Sequence, residues 1–316
     1  MTSVLTTPSD AGHRSARTAP SSQSISRRRV NRLGLLLVAP AIVIIGVLVI
    51  YPSIRSIIGS LQRYSLTNPR RDFVGLHNYV ATLGDSSFEV ALRNTAGYFV
   101  VISTCVLIIG ILAALWLQSL KGHARAIALA VVIIPWAVPG IVSGTLWGFI
   151  FNPTGNGLLN SALKSLNLIS HYRIWLNQPI VGITLIGLSV AWSAVPLGVV
   201  VLLAGLEGIP REIYEQATVD GASRIQQFAK ITLPLLRPAI ALVLLNAAIV
   251  SIGLFDQVYA LVGLDPNKIT VTGEIYLYAF RSFNFGYGFA ASVIATIITG
   301  GVSIVYLKFI YRAQEF

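Results

Sequence analysis

Leu203-Ala204-Gly205-Leu206-Glu207-Gly208-Ile209-Pro210 closes an apolar run, and the chain continues as Arg211-Glu212-Ile213-Tyr214-Glu215-Gln216-Ala217-Thr218-Val219-Asp220-Gly221-Ala222-Ser223-Arg224. Upstream, residues 180–206 carry no charge and are long enough, as a helix, to cross a hydrocarbon core that needs about 20 residues. Downstream, Pro210 suits the start of a helix because it has no N–H to lose, and Glu212 lies near the positive helix end. Asp220-Gly221 supplies a turn, since glycine takes positive φ at a helix C-terminus, and Ser223 can cap a second helix running through Phe228 and Ile231. Leu233-Pro234 and Arg237-Pro238 interrupt that helix before the next apolar run. A membrane-spanning helix therefore hands over to a helix, a tight turn and another helix at a polar surface.

Working outward, six apolar runs stand at about 33–51, 96–117, 126–151, 180–206, 237–262 and 290–311. Over the 316 residues the mean hydropathy is +0.73 and only 11% are charged, against about 25% in a soluble domain. The expectation is an all-α polytopic membrane protein of six transmembrane helices with the lipid bilayer as its solvent. The net charge of +11 does not point to nucleic acid, because the basic residues are spread over the connections instead of forming one basic domain.

Those basic residues orient the chain. With the N-terminus in the cytoplasm, fourteen lysines and arginines fall on the cytoplasmic side and nine on the other, so both termini are expected in the cytoplasm. Residues 1–32 read as a disordered basic tail, and 33–316 as the membrane domain with its cytoplasmic loop at about 207–238. Arg27, Arg28, Arg29 and Arg32 before an apolar run fit a signal peptide as well. The run instead ends Val49-Ile50-Tyr51-Pro52, without a small-residue cleavage site, and reads as an uncleaved helix. Cys105, the single cysteine, falls in the second run, which excludes an internal disulfide.

Three connections are expected on the outer side. The first, about 52–95, contains Asp72-Phe73-Val74-Gly75-Leu76-His77-Asn78-Tyr79 and reads as a folded loop. In 152–179 and 263–289, Asn152-Pro153-Thr154-Gly155-Asn156-Gly157 and Leu264-Asp265-Pro266-Asn267 read as turns. An inverted repeat of the kind found in many secondary transporters is not evident.

A generic helix–glycine–helix pattern is most often only a capped polar loop. The full string, however, closely resembles the cytoplasmic EAA loop of ABC importer permeases, in which Glu-Ala-Ala, Asp-Gly-Ala and Ile-x-Leu-Pro recur at fixed spacing. The matching residues are Glu215, Ala217, Asp220, Gly221, Ala222, Ile231, Leu233 and Pro234, with Gln216 where the family usually has alanine. The resemblance implies a type I ABC importer permease fold, with Glu215, Ala217, Asp220, Gly221, Ala222 and Ser223 coupling the chain to an ATPase. A side chain at Gly221 would obstruct both the turn and close approach.

Phe73-Val74-Gly75-Leu76-His77-Asn78-Tyr79, Asn94-Thr95, Leu203-Ala204-Gly205-Leu206 and Phe255-Asp256-Gln257-Val258-Tyr259 extend the resemblance to the carbohydrate-uptake branch, the maltose and glycerol-phosphate type. That branch commonly carries a Thr-Gly-Gly-Gly-Pro-like turn where this chain reads Val262-Gly263-Leu264-Asp265-Pro266, so the resemblance does not select one sugar. It implies a second homologous permease, an ATPase dimer and an extracytoplasmic solute-binding protein as partners. It also implies a binding-protein-dependent importer in the cell inner membrane.

Candidates for a substrate path are few. Asp256 is the only acidic residue inside an expected span, and an intramembrane carboxylate usually faces a cavity or a partner; a place at the outer water boundary suits it equally well. Asn246 and Ser251 can bond solute hydroxyls or simply another helix. Trp192, like Trp136 and Trp147, can stack on a sugar or anchor at the interface. Pro135, Pro139 and Pro196 interrupt helices.

His13, His77, His123 and His171 show no helical pairing, so no metal site is expected. No catalytic residue is expected either. A G-x-x-x-x-G-K-[ST] phosphate loop is absent from the sequence, which leaves ATP and Mg to a partner ATPase and gives this chain no cofactor. The alternative function class, an ion-gradient-driven secondary transporter or channel, calls for more buried ionisable residues than these runs contain.

Overall fold

The structure is a computed structural model and describes residues 37–313; the basic tail lies outside them. The chain divides into two compact units, the first ending at Ile54 and the second beginning at Arg55. The described part of the first is apolar helix, and the second contains all the packing described below.

Among the described residues four helices are long and apolar enough to cross a membrane, and two bent pairs raise the number to six. The four are α1 (Leu37–Ser60), α3 (Ser86–Ser119), α7 (Pro179–Glu207) and α13 (Phe285–Ala313). The bent pairs are α4 (Gly122–Ala137) with α5 (Gly140–Ile150), and α9 (Arg224–Leu235) with α10 (Arg237–Ile252). Between α1 and α3 lie an antiparallel hairpin of β1 (Gln62–Ser65) and β2 (Asn68–Phe73), then α2 (His77–Leu83). Further short α-helices are α6 (Leu158–Ser165), α8 (Arg211–Val219), α11 (Asp256–Val262) and α12 (Val271–Tyr276), the last continued by a π-helical turn over Leu277–Arg281. The fold is all-α, with one small hairpin.

The core is the contact of α3 with α7, backed by α10. Tyr98, Ile102, Val106 and Leu117 pack with Ile186, Val199, Leu202 and Leu206, and Ala239, Val243 and Ala247 close the third side. Lipid tails are as apolar as these side chains, so close backbone approach, and not hydrophobicity, holds such helices together. Gly198 provides it: a Cβ there would sit 2.4 Å from Val106 Cγ1. The opposite face of α3 leaves Val100, Ile108 and Leu112 exposed, as a helix in lipid or against another subunit requires.

Two expected spans are broken. In the third, α4 and α5 meet at 95° across Val138-Pro139, because Pro139 offers no N–H and forces Val138 out of the helical region. The fifth run, read as continuous over 237–262, ends as α10 at Ile252 and resumes as α11 at Asp256. Pro196, by contrast, sits inside α7 without ending it. The first outer connection is shorter than expected, since α1 continues to Ser60 and α3 starts at Ser86. In the second, buried Asn160 is the hub: its amide donates to the Asn152 and Arg173 carbonyls, and Trp175 Nε1 donates to its Oδ1 at 2.8 Å.

Candidate functional site

The polar segment after α7 folds as its local chemistry requires. Glu207 at the end of α7 pairs with Arg125 of α4, and Pro210 leads into α8. At the far end Gly221 takes φ +78°, and Ala222 N–H reaches the Ala217 carbonyl at 2.9 Å while Gly221 N–H reaches that of Thr218 at 3.0 Å. This is the Schellman closure of a helix C-terminus. Ser223 then caps α9 reciprocally with Gln226: its Oγ accepts from the Gln226 N–H and its own N–H donates to Gln226 Oε1 at 2.8 Å.

Gln227 Nε2 ties the two helices by donating to Thr218 Oγ1 at 3.0 Å and the Ala222 carbonyl at 3.2 Å. Tyr214 and Thr232 hydroxyls meet at 2.9 Å. Glu215, Gln216, Asp220, Gly221 and Ser223 are exposed, whereas Ala217 and Ala222 are half-buried. Val219 is 88% exposed and Ile225 81%, an apolar pair uncovered on an otherwise polar loop. Around Gly221 nothing lies within 4 Å of a built Cβ, so within this chain its φ is the constraint and crowding is not.

A second feature lies at the break between α10 and α11. A cavity of about 400 Å³ opens there, lined by Trp136, Ser193, Asn246, Asp256 and Gln257 among others. The break frees backbone carbonyls that a membrane interior cannot leave unpaired. Thr272 Oγ1 donates to the Ile252 carbonyl at 2.5 Å and Thr270 Oγ1 to that of Leu254, so the segment leading into α12 satisfies them. Asp256 opens α11, where the helix N-terminus favours a carboxylate. Gln257 is buried and donates to Ser189 Oγ at 3.1 Å.

Of the residues proposed for a substrate path, Asn246 and Asp256 are brought to this one cavity. Ser251 is not: it is fully buried, its Oγ donates to the Ala247 carbonyl at 2.7 Å, and it borders a separate apolar cleft of about 180 Å³ with Thr95 and Phe99. Trp192 stands edge-on to Trp147 with ring centroids 6.1 Å apart and is not among the cavity-lining residues, although its neighbour Ser193 is.

Lys268, one of the nine cations of the outer side, lies in the connection between α11 and α12. It is 1% exposed, its Nζ donates to the Gln178 and Pro179 carbonyls at 3.1 and 3.3 Å, and its own carbonyl accepts from Tyr98 at 2.7 Å. Burial lowers its pKa, against the opposing pull of Asp265. Among the described residues, no group of His, Cys, Asp and Glu is placed to hold a metal ion.

Comparison with known proteins gives this arrangement a context. The family model for the binding-protein-dependent transport system inner membrane component matches residues 106–315. The trehalose/maltose transport system permease protein MalF of Thermococcus litoralis is 36% identical over 284 residues, covering 89% of this chain and 94% of that one. The sulfoquinovosyl glycerol transport system permease protein SmoG of Agrobacterium fabrum is 32% identical, with 88% and 90% covered. The trehalose transport system permease protein SugA of Mycobacterium tuberculosis is also 32% identical, with 93% and 92% covered.

Among solved structures, a chain of a bacterial ABC transporter involved in the import of the acidic polysaccharide alginate superposes with a TM-score of 0.74 at 20% identity. The match covers 92% of this chain and 99% of that one, a likeness of fold. The chain therefore belongs to the family of binding-protein-dependent transport system inner membrane components, as a multi-pass permease subunit of an ABC importer.

Proposed function

We propose that the chain passes a carbohydrate or carbohydrate-like solute through the cavity at the α10–α11 break, driven by ATP hydrolysis on a separate ATPase dimer that grips the α8–α9 loop. One observation carries this reading: α9 leads directly into α10 through a 65° bend, so a single stretch of chain links the exposed Gly221 turn to Asn246 and the break beside Asp256. Displacement of the loop would move α10 and, through the break, the cavity wall. Asn246, Ser193 and Asp256 offer amide, hydroxyl and carboxylate partners for solute hydroxyls, and Trp136, 60% exposed, offers a ring face. The sugars named for the relatives favour the same class.

ATP and Mg would bind the ATPase and not this chain. A second, homologous permease would supply the other half of the pathway, and a solute-binding protein would deliver cargo from the side opposite the loop. The lysine and arginine asymmetry supports a cytoplasmic position for the loop and for both termini. The test is uptake of a labelled sugar panel into proteoliposomes holding the complete complex and its binding protein. Uptake that requires ATP and survives ionophores supports the proposal; uptake driven by an ion gradient without ATP overturns it.

A further inference from the structure

Helix α2 sits where three membrane helices end. Asn78 Nδ2 donates to the carbonyl of Ser60, the last residue of α1, at 2.8 Å and to that of Gln62 at 2.9 Å. The Ser60 and Tyr79 hydroxyls meet at 2.6 Å. Gly286, in the first turn of α13, packs so closely that an added Cβ would lie 3.0 Å from Asn78 Nδ2. The chain enters α3 at Ser86, just past the end of α2. These contacts fix α2 beside the end of α1 and the starts of α3 and α13.

Its buried face, Asn78 and Thr82, points to those helix ends. The other face is apolar and uncovered. Leu76 at the N-cap and Val80 and Leu83 in α2 follow one another at the three- and four-residue spacing of one helix side and are 67%, 71% and 62% exposed, and Phe73 at the end of β2 is 75% exposed. Arg71 is exposed, shares a face of β2 with Phe73 and holds its guanidinium carbon 4.4 Å from the centre of the Tyr64 ring. Apolar side chains rimmed by arginine, held at the end of the spans, match a phospholipid surface in depth, polarity and charge.

We propose that α2 is an interfacial helix whose Leu76, Val80 and Leu83, with Phe73 at the adjoining end of β2, lie in the headgroup–acyl boundary, with Arg71 on lipid phosphate. The inference rests on the membrane placement of the chain and not on its cargo. Anchored in this way, α2 holds the Ser60 end of α1 and the start of α3 at fixed depth.

The test uses the complete transporter, with Cys105→Ala as background, in vesicles of phosphatidylcholine and phosphatidylglycerol. Val80→Cys and His77→Cys carry an environment-sensitive fluorophore, quenched either by a nitroxide on the upper acyl chain or by aqueous iodide. The expected result is several-fold stronger lipid-borne quenching at Val80 than at His77, with iodide quenching in the reverse order. Equal iodide access at both positions without lipid-borne quenching overturns the proposal, and so does protection of Val80 from both quenchers, which would mean that a protein partner covers the stripe. Leu83→Cys gives the same reading, by the same criteria, if the Val80 variant does not assemble.

Discussion

Gly144 of α5 and Ala260 of α11 approach so closely that a methyl group on Gly144 would lie 2.6 Å from the Ala260 Cβ and 2.7 Å from the Gln257 carbonyl oxygen. The glycine-lined face of α5, with Gly140 against Asp256, therefore holds the short helix that begins at the cavity. Gly144→Leu forces these helices apart at a cost of about 1–3 kcal/mol. Thermal unfolding of the purified complex is expected to shift clearly downward for this variant. Gly148→Ala, where a Cβ meets nothing within 4 Å, should leave the midpoint unchanged or slightly raised.

Glu274 is 4% exposed, and burial, followed by the charge of nearby Asp85, raises its pKa to about 7. Asp85 itself caps α3 and accepts from the Tyr278 hydroxyl at 2.6 Å. Between the unfolded carboxyl value and about 7, the folded chain holds a proton that the unfolded chain has released. Stability contributed by this site is therefore complete at low pH, declines as pH rises through that window, and is gone above it. The midpoint should fall as pH rises from about 4.5 to about 7, and Glu274→Gln should flatten that fall. An equal slope in the variant would remove Glu274 as the cause.

On the proposed path, Asn246→Ala and Asp256→Asn would each remove or weaken one partner for solute hydroxyls. A hydrogen bond is worth about 1 kcal/mol net, so uptake at limiting solute should fall by a factor of about five for each, with expression and assembly unchanged. Ser251→Ala serves as the contrast, because its hydroxyl bonds its own helix at Ala247. Transport kinetics in proteoliposomes separate the three; a Ser251 defect as large as that of Asn246 would misplace the pathway.

What the sequence revealed and what it hid follows from the range of the interactions. The Ser223 cap and the Gly221 turn are legible in the sequence because their chemistry is complete within a few residues. The break after Ile252 was hidden inside an uninterrupted apolar run, since Thr270 and Thr272, which satisfy its carbonyls, lie in a different connection. The burial of Lys268 was equally invisible, because it depends on Tyr98 and on the Gln178 and Pro179 carbonyls, all far away in the chain. Asn246 and Asp256 share a cavity, and polarity alone did not separate them from Ser251.

The central claim is that the Gly221 turn transmits the motor's work to the cavity, and the most direct measurement pairs ATP hydrolysis with solute uptake in the same proteoliposomes. At φ +78° a β-branched side chain is strained by about 1–2 kcal/mol, whereas asparagine tolerates the left-handed region. Gly221→Val is expected to abolish uptake together with the stimulation of hydrolysis by the loaded binding protein, while Gly221→Asn retains much of both. Full uptake and full stimulation in the assembled Gly221→Val complex would contradict the account.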